Sequence, residues 1–259
     1  MDLGISGRKA IVCASSKGLG RACAMTLAKN GVDVVLNGRD EAALSATADT
    51  IRAASDVTVT PVIADISTAA GQQAVLAACP SPDILVNNNG GPPYKDYREL
   101  GREEMLQGVT MNMVTPIEMI QAVIDSMVEQ RFGRIVNITS ISVRRPVFGL
   151  DLSSGARAGL TAFLAGVCRS VVEHNVTINN VLPGYFDTDR LRSGFDAASK
   201  MLSKSVNEIA AARADEVPAK RFGTPEEFGE ACGFFCSAQA GYITGQNLIL
   251  DGGLYENNF

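Results

Sequence analysis

The feature that most constrains the fold of this chain is its regular alternation of short, β-rich apolar runs with longer segments of helical periodicity. The apolar runs predict strands at 9–14, 33–38, 57–65, 83–88, 133–140, 176–182 and 246–253. The helical segments lie between them at 18–31, 40–54, 67–79, 102–130 and 152–173. Strands that alternate with helices in this way form βαβ units. The sequence therefore predicts an α/β fold, with a doubly wound, parallel, seven-stranded sheet that carries helices on both faces.

Nothing in the sequence divides the chain into separate domains. No linker or change of composition interrupts the 259 residues, so we expect a single domain over 1–259. Pro61 lies inside the third predicted strand, and proline in a sheet is largely confined to edge strands, so we expect this strand at an edge. The polar stretch 189–217 lacks a strand signal and is expected to form a small helical lid.

Charge and hydropathy exclude several classes of function. The formal net charge is −5 and the basic residues are not clustered, so the chain lacks the positive patch that nucleic-acid binding requires. No apolar run reaches the ~18 residues of a membrane-spanning helix, and the amino terminus lacks the pattern of a secretion signal. We therefore expect no nucleic-acid partner, no membrane association and a cytoplasmic location.

Residues that usually bind metals are sparse in this chain. It has six cysteines, none of them in a C-x-x-C pair, and one histidine, His174. Cys232 and Cys236 share a predicted helix face, but no nearby histidine or further cysteine completes a ligand set. We expect no metal site, and we expect the cysteines to be reduced thiols in the core.

The turn that joins the first strand to the first helix reads ASSKGLG, residues 14–20. Glycines at such a turn let the backbone approach a pyrophosphate, and the helix amino terminus supplies N–H donors. A glycine turn of purely structural origin is the alternative. Ala14 stands where the first glycine of a phosphate-binding loop would be, and a left-handed backbone there would cost an alanine ~1–2 kcal/mol. Ser15 and Ser16 are candidate hydroxyl donors to phosphate.

The end of the second strand favours NADP over NAD as the dinucleotide. A carboxylate at this position would bind the ribose 2′-hydroxyl of NAD. This chain instead has Asn37, followed by Gly38 and Arg39, and Lys17 lies in the glycine turn. Two cations without the carboxylate suit a 2′-phosphate, whereas the alternative is that both are merely solvated. Asp40 is expected to cap the next helix.

Several further segments match the motifs of one family. They are NNNGG (87–91), NITS (137–140), PGYFDT (183–188), RFGTPEE (221–227) and YITGQNLILDGG (242–253). The first of them has Asn89 where the family has alanine, and the last is very specific. On these segments the chain resembles the short-chain dehydrogenase/reductase family, in particular its 3-oxoacyl-acyl-carrier-protein reductase-like branch, from Arg8 to Gly253.

The resemblance implies a Rossmann-type dinucleotide-binding domain and an oxidoreductase that transfers hydride. It implies that Ser140 fixes the substrate oxygen and that Asn112 holds a water relay. Asp65 would meet the adenine edge, and Thr188 would lie near the nicotinamide carboxamide. The full set of expected cofactor-binding residues is Ala14, Ser15, Ser16, Lys17, Gly18, Leu19, Gly20, Asn37, Arg39, Asp65, Ile66, Asn88, Asn89, Gly90, Arg157, Pro183, Gly184 and Thr188.

The chain departs from the family at the Tyr-x-x-x-Lys motif. The family's spacing from Ser140, and its text after the lysine at 158–160, put Ser153 and Arg157 at the two motif positions. Arginine cannot be deprotonated in a protein, although its charge could still bind ribose hydroxyls. Serine is a weak acid and is several ångströms shorter than tyrosine, so the usual proton relay is expected to be altered.

Two tyrosines could replace the missing proton donor. Tyr185 adjoins the nicotinamide segment and Tyr94 lies in the loop after the fourth strand, although each also reads as an exposed or packing side chain. Arg144 and Arg145 could form a cationic pocket with Arg157 for a carboxylate or phosphate substrate. The alternative is that these two are solvated loop residues, or that Asp151 is their ion partner.

Three functions remain open at this point. The first is an NADP(H)-dependent oxidoreductase that acts on a small carbonyl or alcohol with an altered proton relay. The others are a non-catalytic nucleotide-binding subunit and a non-redox enzyme, such as a lyase, in the same cleft. The helix at 152–173 carries Gly155, Gly159 and Gly166 among alanines, and the family's equivalent helix packs across a two-fold axis. We therefore expect a homo-oligomer, either a tetramer or a dimer.

Overall fold

The computed structural model describes residues 2–92 and 94–257, apart from the side chains at 197 and 200–202. Its strands are β1 (Lys9–Val12), β2 (Asp33–Gly38), β3 (Val59–Ile63), β4 (Ile84–Asn87), β5 (Gly133–Ile138), β6 (Val176–Pro183) and β7 (Asn247–Leu250). They form one parallel sheet in the order β3-β2-β1-β4-β5-β6-β7. The predicted doubly wound α/β fold is confirmed. The edge position predicted for the strand that contains Pro61 is also confirmed.

Helices connect the strands. They are α1 (Gly18–Lys29), α2 (Glu41–Ala54), α3 (Ala69–Ala78), α4 (Arg102–Val109), α5 (Thr115–Gln130), α6 (Asp151–Val171), α7 (Asp189–Leu202), α8 (Val206–Glu216) and α9 (Pro225–Cys236). No described helix combines the length and apolar character that a bilayer crossing requires. Two of these helices, α7 and α8, lie in the polar stretch 189–217.

The structure differs from the sequence-based prediction in two helical regions. The segment 102–130 is not one regular helix, because a π-helical turn at Thr110–Val114 separates α4 from α5. The sequence analysis did not delimit α9. A signal for it was present, since Thr224 and Glu227 form a reciprocal capping box with Pro225 in the first turn.

The core consists of two apolar layers, one on each face of the sheet. Val34 of β2 belongs to the layer that includes Leu27 of α1 and Phe228 of α9. The next residue, Val35, belongs to the opposite layer with Met119 of α5. Successive strand side chains point to opposite faces, so an unbroken apolar strand requires cover on both sides. All six cysteines lie in the core with free thiols, and their predicted burial is confirmed.

Helices α1 and α9 approach each other at backbone distance. A Cβ atom placed on Gly229 would lie 2.7 Å from the Ala22 carbonyl oxygen and 2.8 Å from Thr26 Oγ1. A Cβ on Gly233 would lie 2.7 Å from the Thr26 methyl carbon. Because only glycine permits this contact, α9 braces the helix that follows the glycine turn.

Arg134 joins the amino end of β5 to the segments beside it. This side chain is 1% exposed, and its guanidinium donates to the Ser237 carbonyl at 2.9 Å and to the Asn175 carbonyl at 2.8 Å. It also donates to Asn175 Oδ1 at 3.0 Å and lies over the Phe132 ring, 4.4 Å from the centroid. Burial lowers the Arg134 pKa to about 10. The residue therefore has a structural role at the edge of the sheet opposite to the carboxyl ends of the strands.

Candidate active site

The strand order reverses between β1 and β4, and the candidate site lies beyond the carboxyl ends of these strands. One half of the sheet runs outward from β1 through β2 and β3, and the other half runs from β4 through β5, β6 and β7. The connecting helices leave on opposite sides at this point and open a crevice between the two loops. The predicted site segments follow β1, β4, β5 and β6, and they all begin at this edge of the sheet.

Three residues shape the glycine turn: two have a left-handed backbone, and the third packs closely beneath it. Ala14 has a φ of +45° and Gly18 a φ of +57°, so the position of Ala14 does require the left-handed region. Gly20 lies directly beneath the turn, because a Cβ atom there would overlap the Ala14 carbonyl and lie 2.9 Å from Asn88 Nδ2. The first turn of α1, which contains Gly18, Leu19 and Gly20, has no side-chain cap. Its N–H groups therefore face the crevice as donors for an anion.

The two serines of the turn have different surroundings. Ser15 is fully buried; its hydroxyl donates to the Val12 carbonyl at 2.8 Å and accepts from the Asn37 N–H at 3.1 Å. The Ser15 hydroxyl therefore supports the turn. Ser16 is half-buried, with its Oγ against Gly38, 3.2 Å from where a Cβ on that glycine would lie.

Asn37 supports the turn from the end of β2. This residue is 1% exposed, and its amide donates to the Val62 and Ala64 carbonyls at 3.3 and 3.0 Å. Its Oδ1 accepts from the Ala14 N–H at 3.4 Å. The Asn37 side chain thus links β2 to the end of β3 and to the glycine turn. The rim of the crevice is formed by the residues that follow Asn37.

Two cations occupy that rim. Lys17 Nζ lies 3.6 Å from an Asp40 carboxylate oxygen, and Arg39 Nη1 lies 3.6 Å from an Asp65 carboxylate oxygen. Both cations are more than half exposed, so these ion pairs are weak and exchangeable. The predicted capping role of Asp40 is confirmed, because its carboxylate accepts from the Ala43 N–H at 3.1 Å.

Asp65 follows β3 and is held as a carboxylate. The Ser67 hydroxyl donates to it at 2.6 Å, and this bond, with the Ser67 N–H and the Arg39 charge, lowers the Asp65 pKa below its usual range. Ile66 is 3% exposed and packs into the core beneath this segment. The arrangement leaves a carboxylate at the outer wall of the crevice.

The segment after β4 connects both halves of the site. Asn88 donates from Nδ2 to the Ala14 carbonyl at 3.1 Å, and Asn89 donates from Nδ2 to the Met111 carbonyl at 3.2 Å. The Gly90 N–H donates to Asn89 Oδ1 at 2.8 Å, and Gly90 is exposed. This segment therefore holds the glycine turn and the π-helical turn at fixed positions relative to each other.

Asn112 lies in the π-helical turn and has an unsatisfied acceptor. It is 2% exposed, and its Nδ2 donates to the Gly108 carbonyl at 3.1 Å. Its Oδ1 is buried and has no hydrogen-bond partner among the described residues. Buried polar atoms are almost always paired, so this oxygen marks a place where a bound group or water completes the structure.

Ser140 lies at the crevice, two residues beyond the end of β5 and directly after Thr139. It is half-buried, and its Oγ accepts from the Ser142 N–H at 3.1 Å. The hydroxyl proton of Ser140 is consequently available for a substrate oxygen.

Ser153 and Arg157 lie one turn apart on α6 and face the same crevice wall. The Arg157 side chain donates from Nε to Ser153 Oγ at 3.2 Å and from Nη1 to the Ile138 carbonyl at 2.7 Å. Burial, together with the charge of Arg190, lowers the Arg157 pKa to about 10. The guanidinium is therefore a desolvated cation at neutral pH, and Ser153 acts as its hydrogen-bond acceptor.

Arg190, at the start of α7, is a site residue that the sequence analysis missed. Its guanidinium donates to the Gly91 and Pro92 carbonyls, each at 3.1 Å. Since these partners lie 98 and 99 positions away in sequence, no local pattern could have revealed the contact.

The segment 183–188 closes the crevice after β6. Gly184 is required there, because a Cβ atom would lie 2.7 Å from Asp251 Cβ. Thr188 caps α7, accepting from the Leu191 N–H at 3.4 Å, and its methyl lies 3.6 Å from where a Cβ on Gly18 would be. Pro183 ends β6 and is half-buried. This segment therefore places the start of α7 against the glycine turn.

Tyr185 and Tyr94 lie near each other at the outer part of the site. Tyr185 is half-buried, meets the Phe222 ring edge-on at 6.4 Å and packs against the apolar cluster of Ile141. Partial burial of the Tyr94 ring raises its pKa above the usual value, and the nearby Tyr185 phenol raises it further. Tyr94 is itself 58% exposed. Tyr185 is thus the more enclosed of the two phenols.

The structure does not bring Arg144 together with Arg157. Arg144 lines a separate cavity of about 290 Å³, on the side of α6 that carries Ala158, Thr161 and Ala162. Arg145 adjoins it in sequence and is half-buried. Among the described residues, no group of three or more His, Cys, Asp or Glu side chains is arranged to hold a metal ion.

Comparison with known proteins gives a consistent picture. The family model described as enoyl-(acyl carrier protein) reductase matches residues 13–255. The chain is 30% identical to a 3-oxoacyl-[acyl-carrier-protein] reductase of Vibrio harveyi, over 98% of this chain and 99% of that protein. It is also 30% identical to an NADPH-dependent reductase of Bacillus subtilis, over 96% and 98% of the two chains.

The structural comparison agrees with the sequence comparison. The L-sorbose reductase of Gluconobacter frateurii, solved in complex with NADPH and L-sorbose, superposes with a TM-score of 0.94 at 28% identity. The match covers 99% of this chain and all of the other. With the parallel sheet, the crevice at its reversal point and these relatives, the chain belongs to the short-chain dehydrogenase/reductase family.

Proposed function

We propose that this protein is an NADP(H)-dependent oxidoreductase that interconverts a small carbonyl compound and its alcohol. The observation that carries the proposal is the glycine turn, which Asn88 and Asn89 hold in place relative to the π-helical turn that bears Asn112. A dinucleotide along this crevice would have its pyrophosphate at the turn and its nicotinamide near Ser140. The NADPH-dependent reductases among the relatives support the same assignment.

The residues at the turn and rim fit NADP. Gly20 lets the first turn of α1 pack against the Ala14 carbonyl and Asn88, so the turn keeps the shape in which its N–H groups can bind a pyrophosphate. Lys17 and Arg39 are exposed and only weakly paired, so a 2′-phosphate can draw both cations from their aspartates. The Thr188 and Gly184 segment would enclose the nicotinamide end.

When bound, NADP(H) supplies or accepts the hydride, and the chain's own groups handle position and charge. The Ser140 hydroxyl donates to the substrate oxygen and stabilises the negative charge that develops there. One Arg157 N–H group that is not bonded to Ser153 or to the Ile138 carbonyl donates to a ribose hydroxyl of the nicotinamide, and the remaining N–H groups are left for the substrate. The Asn112 Oδ1, which has no hydrogen-bond partner in the part of the chain that the structure describes, holds a water molecule that connects the site to solvent.

We assign the proton donor to Tyr185. Arg157 retains its proton, and the Ser153 hydroxyl accepts from Arg157 on the wall of the crevice. Tyr185 is half-buried, lies just beyond the carboxyl end of β6 next to the Ile141 cluster, and carries a phenol, the same acidic group that the family uses. Its phenol can therefore transfer a proton to an alkoxide oxygen, and water can return the proton to Tyr185.

The experiment combines cofactor titration with one matched pair of variants. NADPH and NADH are titrated by fluorescence, and turnover is measured against a panel of small ketones and aldehydes. We expect NADPH to bind more tightly, and we expect Tyr185→Phe to lower kcat by 10²–10⁴-fold. Tyr94→Phe, the same change at the exposed phenol, is expected to retain kcat within threefold.

The alternatives give different results in the same experiment. NADPH binding without turnover on any carbonyl would favour a nucleotide-binding subunit or a non-redox enzyme such as a lyase. Binding of neither dinucleotide would refute the cofactor assignment. Full activity in Tyr185→Phe would refute the proton donor alone.

We further propose that α7 and α8 move as a lid over the single domain and that the protein is a cytoplasmic homo-oligomer. The support for association is α6, where Gly155 and Gly166 face open space: apart from their chain neighbours and the helix backbone, no described atom lies within 4 Å of a Cβ placed on either glycine. Phe163 of the same helix is 47% exposed. Light scattering of the purified protein measures the mass directly, and a monomer would refute the association.

A further inference from the structure

We propose that the substrate carries a carboxylate and that the guanidinium groups of Arg157 and Arg190 bind it beside Gly91. The inference rests on the proposed function, because it assigns the substrate class of the same crevice. Arg190 thereby takes the part that the sequence analysis gave to Arg144 and Arg145.

The first step in the argument is that Arg157 is a buried cation without a counter-ion. Its side chain is 9% exposed, and no carboxylate lies within 4.0 Å of it among the residues that the structure describes. Of the five guanidinium N–H groups, one donates to Ser153 and one to the Ile138 carbonyl. Both acceptors are neutral, so the charge itself is not compensated.

The second step is that Arg190 adds a like charge at the same place. A Cβ atom on Gly91 would lie 2.8 Å from Arg190 Nη2 and 3.5 Å from Arg157 Nη2. The two guanidinium edges therefore converge on one glycine, and their repulsion contributes to the lowered Arg157 pKa. An anion between them would remove this repulsion and provide the missing counter-ion.

The third step is that this anion is not supplied by the cofactor. The predicted pyrophosphate position is the glycine turn, and the 2′-phosphate position is the rim formed by Lys17 and Arg39. Arg157 instead bonds to the end of β5, next to Ser140, where the substrate reacts. Both guanidinium groups keep N–H donors beyond those that bond to the protein, and these can donate to the two oxygens of one carboxylate, so we assign the substrate anion as a carboxylate near the reacting carbon.

The test measures ligand binding to the complex with oxidised NADP. Malonate, its neutral analogue malonamide and inorganic phosphate are titrated by calorimetry. We expect malonate to bind at least tenfold more tightly than malonamide, and we expect Arg190→Gln to weaken malonate binding at least tenfold. Arg192→Gln is the matched control: that guanidinium is exposed on α7 and bonds to Asp187, so malonate binding is expected to stay unchanged.

Each other outcome refutes a defined part of the inference. Equal affinities for malonate and malonamide would overturn it, and phosphate binding more tightly than malonate would replace the carboxylate by a phosphate group. A similar loss of NADP affinity in Arg190→Gln would assign the anion to the cofactor and also overturn it. If the dinucleotide fails to bind, the proposed function fails, and malonate titration of the free protein then tests the two arginines by themselves.

Discussion

Arg157 donates a hydrogen bond from Nε to Ser153 Oγ across one turn of α6, at 3.2 Å. Ser153 is 4% exposed. Its hydroxyl holds the Arg157 guanidinium in position. Ser153 is thus expected to position Arg157, whereas Ser140 is expected to contact the substrate oxygen.

Replacing the two serines by alanine separates these roles. Ser153→Ala is expected to lower kcat by less than tenfold and to leave the pH profile unchanged, because only the orientation of Arg157 is affected. Ser140→Ala removes a donor to the developing oxyanion and is expected to lower kcat by about 10²–10³-fold. Steady-state kinetics on the best substrate of the panel checks both; an equal loss would contradict the division of roles.

The selectivity for NADPH is expected to depend on Lys17 and Arg39. The double variant Lys17→Gln, Arg39→Gln is expected to weaken NADPH binding by about 10–100-fold and to leave NADH binding unchanged, because only NADPH carries the 2′-phosphate. Added salt is expected to weaken wild-type NADPH binding more than that of the variant. Lys29→Gln, at the other end of α1, serves as the control; if it has the same effect, the contribution is non-specific.

Gly20 is expected to be intolerant of even one added methyl group. Gly20→Ala would force its Cβ into the Ala14 carbonyl and against Asn88, so the turn must move and NADPH affinity is expected to fall at least tenfold. Gly194→Ala, in open space on α7, is instead expected to stabilise the protein by about 0.5–1 kcal/mol. Fluorescence titration and urea unfolding measure the two effects, and normal NADPH binding by Gly20→Ala would contradict the geometry.

Arg134 is expected to contribute to stability and not to the reaction. Arg134→Met leaves the Ser237 and Asn175 carbonyls without their donor, and the expected loss is about 3 kcal/mol or more in the free energy of unfolding. Arg98→Met is the control, since that arginine also lies over a ring, Tyr97, but is exposed; its cost is expected within 0.5 kcal/mol. Urea unfolding at fixed protein concentration measures both, and an unchanged KM for NADPH would separate Arg134 from the site.

The sequence predicted those features that depend on local periodicity or on single residues. The alternation of apolar runs with helical segments predicted the parallel sheet. The missing N–H of Pro61 predicted that its strand lies at an edge. Only the cost of a left-handed backbone at Ala14 could be stated from the sequence, and the structure shows that this residue adopts it. The π-helical turn at Asn112 was missed because its 5 residues are too few for a periodicity argument to resolve, and Arg190 was missed because its partners are brought near only by the complete fold.

The packing of α9 against α1 has a consequence for the order in which the fold forms. The glycine turn leads into α1, yet the glycines that fit against that helix, Gly229 and Gly233, follow β6 in the sequence. Helix α1 therefore gains this support only through a contact between segments that are far apart along the chain, and such contacts form slowly because a long loop must close. The proposed nucleotide cleft is thus expected to become rigid only after α9 has docked.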